Sequence, residues 1–523
     1  MGGAAATPGP PDDHAKPGDP AGEPVLELIL EEVESAVDPI AEATAFGPTV
    51  GIAVAGGTLV QMPPDEVAPG PVGSDNTVKA GLLAAGPVAI AGIAVNLSAA
   101  LVVVVVAHLM SSRSYGEIAQ LLGLFFILSM PGSAILVGVV RRVTGLTTSG
   151  QPHLVRNWVA RVHRICLVAI GVELVLVLAL QGVIARWLGL PNGQGVVLIL
   201  MAAGIWILLS VDRGLLQAHR SYRPLAANLL VEGGIRTVLV LVLVAGGMGV
   251  VGYALGIFLT EVAATAHAHW LANRAWAGSA AAPVVHAGTS GQSPAARPPE
   301  ELLARRRLLA DVSAAFVGLA LLGLLQNIDV ILLGRLNHAQ VGPYAAISVA
   351  SKGLVFGALA LGAYLLPEAT IRWNEGGHAV RQLGVTLLFL AVPSIALLGI
   401  AVFVPRQFLT LVFSARLATA ADAFAPLVLA MMCLSFTVLT TNYLFGTGSR
   451  WIVLLLAGGS GLAVVLVTMA DGRPAATAWA DLIVQALLAF GMGVAFLAIH
   501  IRHRGQHWSK RFGWQRRPAL GET

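Results

Sequence analysis

Seven ionisable side chains stand where the surrounding sequence is apolar: Glu173, Glu232, Arg236, Glu261, Asp329, Lys352 and Asp481. A charge at the middle of a bilayer costs about 2.5–3.5 kcal/mol on insertion scales, so each needs a partner, a watery cavity or a task. Glu232 and Arg236 are four residues apart, which sets them on one helix face about 6 Å apart along the axis, with the acid leading in the favourable order. They read either as a self-compensated ion pair or as a holder for an anionic headgroup, with Gly233 and Gly234 between them leaving room. Lys352 is one of four lysines in the chain and alone among them lies inside an apolar run. A desolvated ammonium there would attract a phosphate as a point charge, or would answer a buried acid such as Asp329.

The acids admit a different chemistry. Glu173 and Glu261 lie, with Lys352, nearest the middle of their runs, where a carboxyl group can load and release a coupling proton. Asp329 sits near the end of its run and divides evenly between an ion-coupling role and a hydrogen bond that packs or gates helices. His267 and His269 are two residues apart and so turn to different helix faces; with Trp270 behind them they read as interfacial anchors rather than metal ligands. The two cysteines, Cys166 and Cys433, each lie in an apolar run and make neither a disulfide framework nor a zinc site. The membrane part has no clustered acidic motif such as paired Asp residues, and no His and Glu metal spacing or phosphate-binding glycine loop beside a strand is found, so neither an enzyme nor a cofactor is expected.

The elements that must hold these residues are membrane helices. Of 523 residues 56% are hydrophobic and only 11% charged, against roughly 25% in a soluble domain. Mean hydropathy is +0.78. Twelve stretches reach the roughly 20 apolar residues that a spanning helix needs: 82–108, 118–140, 165–185, 195–216, 225–245, 250–271, 308–333, 341–366, 383–404, 423–444, 451–470 and 476–499. One long Ala, Gly, Ser and Pro break, residues 277–304, divides them six and six. No basic region followed by an apolar core opens the chain, so the first span is expected to act as its own insertion signal.

Basic residues give the orientation, because cytoplasmic loops retain them. Alternate loops from 141 onward, with the C-terminal segment, carry 22 Arg and Lys, including Arg141, Arg142, Arg213, Arg305 and Arg511. The opposite loops carry six: Arg113, Arg186, Arg335, Arg406, Arg416 and Arg473. An even number of spans then places both termini in the cytoplasm of a multi-pass inner-membrane protein. An even number in each half gives both halves the same orientation, as in parallel transporter repeats.

The expected fold is therefore an all-α membrane protein, about 12 transmembrane helices in two six-helix bundles related by a pseudo-two-fold along the membrane normal. Residues 1–77 hold 13 acids, counting through 78, against one base, and read as an acidic, mostly disordered cytoplasmic tail. Within it, 24–43 has Val25, Leu28, Ile29, Val33, Val37 and Ile40 at helical spacing among glutamates, an amphipathic helix that is either loosely attached or a docking segment for a basic partner. Residues 78–276 form the first bundle, 277–304 a cytoplasmic linker, 305–503 the second bundle and 504–523 a basic cytoplasmic tail.

Several short stretches resemble the polysaccharide transporter branch of the multidrug, oligosaccharidyl-lipid and polysaccharide exporter superfamily, which includes oligosaccharide flippases. They are Ser114-Tyr115-Gly116, Val140-Arg141-Arg142 and Arg213 to Ala218 with Arg220 and Tyr222 in the first half. In the second they are Asn327-Ile328-Asp329-Val330 with Gly334 and Arg335, Val341 to Ala345, and Leu366-Pro367-Glu368. The resemblance implies a V-shaped pair of bundles opening alternately to each side, with a sugar on a polyprenyl phosphate or diphosphate as cargo. Relatives that flip peptidoglycan precursor carry cations in the first span, and drug exporters an acid; here that span has Asn96 and no charge.

Three functions follow. The first is a flippase that binds an anionic headgroup and sugar between the bundles, with Arg236, Lys352 and Glu232 in the translocation cavity and the prenyl tail left in lipid. The second is a cation-coupled exporter of drugs or small amphiphiles, in which Glu173, Glu261 and Asp329 bind the ion. The third is a membrane enzyme or scaffold of envelope polysaccharide assembly that moves nothing. The expected partners are a lipid-linked glycan, membrane lipids and, through the N-terminal tail, envelope assembly proteins; nucleic acid is not among them.

Overall fold

The computed structural model describes Gly2 and residues 74–148, 152–279, 299–374, 380–446 and 449–511. The amphipathic segment 24–43, most of the linker and the end of the basic tail lie outside the described residues.

Twelve long helices follow one another: α1 Ser74–Leu109, α2 Ser112–Thr148, α3 Pro152–Leu188, α4 Gln194–Ala218, α5 Tyr222–Leu243, α6 Gly249–Ser279, α7 Pro299–Leu336, α8 Val341–Asn374, α9 Val380–Phe403, α10 Phe424–Gly446, α11 Ile452–Met469 and α12 Pro474–Arg511. Each matches one of the apolar stretches and most run well beyond it, because a helix satisfies its own backbone whether or not its side chains are apolar. A short helix Pro405–Val412 and a 3-10 segment Ala415–Ala423, not expected from the sequence, fill the connection between α9 and α10. Between α5 and α6 the chain turns through Gly247 and Gly249, whose φ of 86° and 57° favours a residue without a Cβ.

Among the described residues ten stretches are long and apolar enough to cross a membrane, and one of them, Tyr222–Ala275, takes in both α5 and α6. α3 shows why water cannot be the solvent. Leu167, Val168, Val172, Val175 and Leu178 are all exposed along it, Val175 to 67%, a continuous greasy face that only lipid can cover. The chain is a multi-pass membrane protein.

Packing repeats between the halves. α2 lies along α4 as α8 lies along α10; α4 along α6 as α10 along α12; α1 along α5 as α7 along α11; α3 on α4 as α9 on α10. Two six-helix bundles related by a pseudo-two-fold along the membrane normal account for this pattern, as the sequence leads one to expect.

Among the described residues the halves meet mainly along a seam of α2 against α7 and α8, with a smaller contact of α3 on α7. The tightest part of the seam is at the arginine-poor end. A Cβ on Gly116 would lie 2.8 Å from the backbone nitrogen of Gly342, and one on Gly342 would meet the Ser112 backbone at 2.7 Å, so only glycine lets these helices come so close. Deeper in, Gln120 donates from Nε2 to Leu188 O at 3.1 Å and Ile331 O at 3.4 Å, and Gly123 packs on Asn327 and Ile331. At the rim the guanidinium of Arg335 lies 4.8 Å over the Trp187 ring, and Arg416 donates to His108 O at 3.1 Å.

Gly342→Val is expected to force this seam apart. Amide hydrogen exchange in residues 115–125 should accelerate at least about tenfold over the wild type; unchanged exchange would show that the close approach is not what holds the halves.

Candidate functional site

The charged residues of the apolar runs gather into two clusters, one in each half. In the first, α5 supplies Glu232 and Arg236, α6 supplies Glu261 and α4 supplies Arg213. Glu232 is fully buried and is held from two sides: Arg213 donates from an Nη to Oε2 at 2.5 Å, and Arg236 pairs with Oε1. Arg236 reaches on to Glu261 Oε1 at 3.2 Å. Arg213, itself 1% exposed, also donates from Nε to Asn228 Oδ1 at 2.8 Å and lies over the Trp206 ring. Two arginines thus face two glutamates inside hydrocarbon, and the cluster is neutral as ionised.

In the second cluster, α7 supplies Asn327 and Asp329, α8 supplies Tyr344 and Lys352, and α12 supplies Asp481 and Gln485. Lys352, about 16 Å into α8 from Val341 by helical rise, donates from Nζ to Asn327 Oδ1 at 3.2 Å and stands 3.9 Å from Asp329 Oδ1. The Tyr344 hydroxyl donates to Asp329 Oδ2 at 3.0 Å. Gln485 donates to Asp481 Oδ1 at 3.1 Å, while Asp481 Oδ2 is buried with no hydrogen-bond partner. Asp481 is close enough for its charge to act on Asp329 and Lys352. One ammonium therefore faces two buried carboxyl groups; were both ionised, one negative charge would be in excess, which H⁺ or Na⁺ would balance.

These positions refine the sequence reading. Glu232, Arg236 and Glu261 do come together, and Lys352 does answer Asp329. Arg213, counted among loop arginines although inside the stretch 195–216, is a buried member of the first cluster, because it turns onto Glu232 and Asn228 of α5. Arg236 and Lys352 each turn onto carboxylates of their own half, with side chains 12% and 9% exposed. Lys352 lies one residue behind the seam, since its partner Asn327 has its Cβ where a Cβ on Gly123 of α2 would be 3.4 Å away. Glu173 joins neither cluster. It sits partly exposed on α3, against Gly204 of α4, in the wall of an apolar recess shared with Leu124, Leu128, Leu176 and Leu200. Among the described residues it has no ion-pair partner.

His163, Asp212 and His269 also converge, near the arginine-rich end of the first half. His269, read from the sequence with His267 and Trp270 as an interfacial anchor, meets His163 and Asp212 only because three helices far apart along the chain pack together.

Removing one member of the first cluster strands the others. Glu232→Ala is expected to cost about 3–5 kcal/mol, the usual penalty for leaving a buried charge without its partner, and to lower the melting temperature of the detergent-solubilised protein by several degrees. Asp481→Asn removes the second carboxyl group while keeping an acceptor for Gln485, and should leave the melting temperature unchanged or raise it.

No protein-family model matches the sequence, and no curated protein does. Solved structures do. An inward-facing multidrug resistance MATE family transporter of the MOP superfamily matches with a TM-score of 0.58 at 15% identity over 79% of this chain and 95% of that one. The outward-facing form of such a transporter matches with a TM-score of 0.52 at 15% identity, covering 79% and 93%. A MOP superfamily transporter from Pyrococcus furiosus, described as having a binding pocket of reversed polarity, matches with a TM-score of 0.50 at 16% identity, covering 79% and 92%. The chain thus has the fold of these MOP superfamily transporters, with two six-helix halves set about a pseudo-two-fold along the membrane normal.

Proposed function

We propose that this protein is an alternating-access transporter of the cytoplasmic membrane, closed here towards the outside, and that its cargo is a lipid-linked oligosaccharide or polysaccharide precursor taken from the cytoplasmic leaflet. The observation that carries this reading is a broken symmetry at the seam. The pseudo-two-fold relates α1 to α7 and α2 to α8, so the counterpart of the packed α2–α7 contact is α8 against α1. α1 instead packs along α5 and touches the helices of the second half at no more than isolated points. Among the described residues this leaves the flank between α1 and α8 without a packed contact, and we take it as the place where an amphiphile inserts its headgroup while its tail stays in the bilayer.

The bias of arginine towards alternate loops supports placing the open end at the cytoplasmic side. A hydrated headgroup cannot cross hydrocarbon unaided, and exchange of partners inside the clusters supplies a way to admit it. A cargo phosphate that takes Lys352 would release Asp329, which then has to be neutralised by a cation. Cargo binding and cation binding become linked through one lysine.

A second reading, a cation-coupled exporter of small amphiphiles, is favoured by the two carboxyl groups that share one ammonium in the second cluster. Reconstituted vesicles separate the two. The flippase reading predicts accelerated movement of a polyprenyl-diphosphate-linked oligosaccharide between leaflets, scored by protection from an added glycosidase, and at least about a tenfold loss of it in Lys352→Ala. Gradient-dependent export of a cationic dye with no glycan movement would select the second reading, and movement of neither would leave a role in assembly without transport.

A further inference from the structure

Outside the two clusters, three helices of the first half aim metal-binding atoms at one point. His163 of α3 brings Nε2 to 3.0 Å from Asp212 Oδ1 of α4, and His269 of α6 brings Nδ1 to 3.3 Å from the same oxygen. The three ligand atoms all lie within 4.8 Å of one another, and the imidazole centroids are 5.4 Å apart. Asp212 is 1% exposed, and its other carboxylate oxygen, Oδ2, has no hydrogen-bond partner. A buried carboxylate with an unanswered oxygen is costly in a membrane helix and marks a site where something positive belongs.

The tautomer of His163 sharpens the argument. Its Nδ1 lies 3.0 Å from the carbonyl oxygen of Val159, and a carbonyl can only accept, so Nδ1 carries the proton. Nε2 then faces a carboxylate oxygen, and that contact needs a positive charge between the two atoms, supplied either by a second proton on the ring or by a metal ion that both atoms ligate. A backbone carbonyl on the far nitrogen is also the support that metal-ligating histidines ordinarily have. Zinc holds nitrogen and carboxylate oxygen at about 2.0–2.2 Å, which puts neighbouring ligand atoms of a tetrahedron roughly 3.2–3.6 Å apart. The separations of 3.0 and 3.3 Å from Asp212 Oδ1 need only a small expansion to reach that.

We propose that His163, Asp212 and His269 form a binding site for a divalent transition metal of the Zn²⁺ class, with its fourth position open. Access comes from the His269 side, whose side chain is 53% exposed while that of Asp212 is 1% exposed. The metal staples α3, the helix with the broadest exposed face in the first half, to α4 and α6. It does so one residue before Arg213, the arginine that holds Glu232, so occupancy of the site bears on the position of the first charge cluster.

The test uses the full chain in detergent, without a polyhistidine tag, titrated with Zn²⁺ alone by calorimetry and with Co²⁺ by absorption. The proposal predicts about one Zn²⁺ per chain, tetrahedral Co²⁺ bands, and at least a tenfold weaker affinity in both His163→Ala and His269→Ala. Because the largely exposed His269 can be changed without disturbing a packed core, its variant keeps the test decisive even where Asp212→Asn fails to fold. No binding by the wild type, or binding that His269→Ala leaves unchanged in stoichiometry and affinity, would overturn the proposal and leave a protonated histidine beside Asp212 in its place.

Discussion

A charge in hydrocarbon is costly without a partner, and most of this structure's organisation follows from that constraint. Arg213, Glu232, Arg236 and Glu261 neutralise one another without leaving the first half; Lys352 and Asp329 do so within the second. Each half can therefore move as a body without exposing a broken ion pair to lipid. Buried pairs of this kind add little net stability over an apolar core, but losing one partner is severe, so they resist rearrangement within a half.

The seam is built from different material. Gly116 and Gly342 let backbones touch, Gln120 reaches two carbonyls, and Arg335, Trp187 and Arg416 close the rim. Close packing of small residues and a few hydrogen bonds can be given up cheaply in a membrane, where lipid offers an apolar replacement contact and water reaches the rim. Strong bonds within halves and weak ones between them are what a rocking motion requires. The second cluster lies next to this seam through Asn327, which places its carboxyl groups where a change of conformation would be felt.

The fold was largely legible in the sequence because the physical demand on a spanning helix is simple: about twenty apolar residues and a satisfied backbone. The site was legible only where partners are close along the chain. Glu232 and Arg236 announce themselves at four-residue spacing, whereas Arg213, near the end of the stretch 195–216, shows its role only when α4 packs so that it reaches Glu232 of α5. Glu173, equally conspicuous in sequence, proves solitary, because nothing in the sequence says which face of α3 meets α4. The convergence of His163, Asp212 and His269 was invisible for the same reason: they meet only after three helices pack. Of the residues that carried the family resemblance, Gly116, Asn327, Gly334 and Gly342 fall at the seam, whereas Arg213 and Asp329 sit in the two charge clusters.

The central claim is that the halves are rigid and the seam is not. Spin labels at Arg113 and Ala339, near the ends of α2 and α8 on either side of the seam, would report it directly in proteoliposomes. Alternating access predicts two distance populations whose ratio shifts with a proton gradient or added cargo. A single short distance that no condition changes, in protein that is otherwise folded and membrane-inserted, would contradict the account.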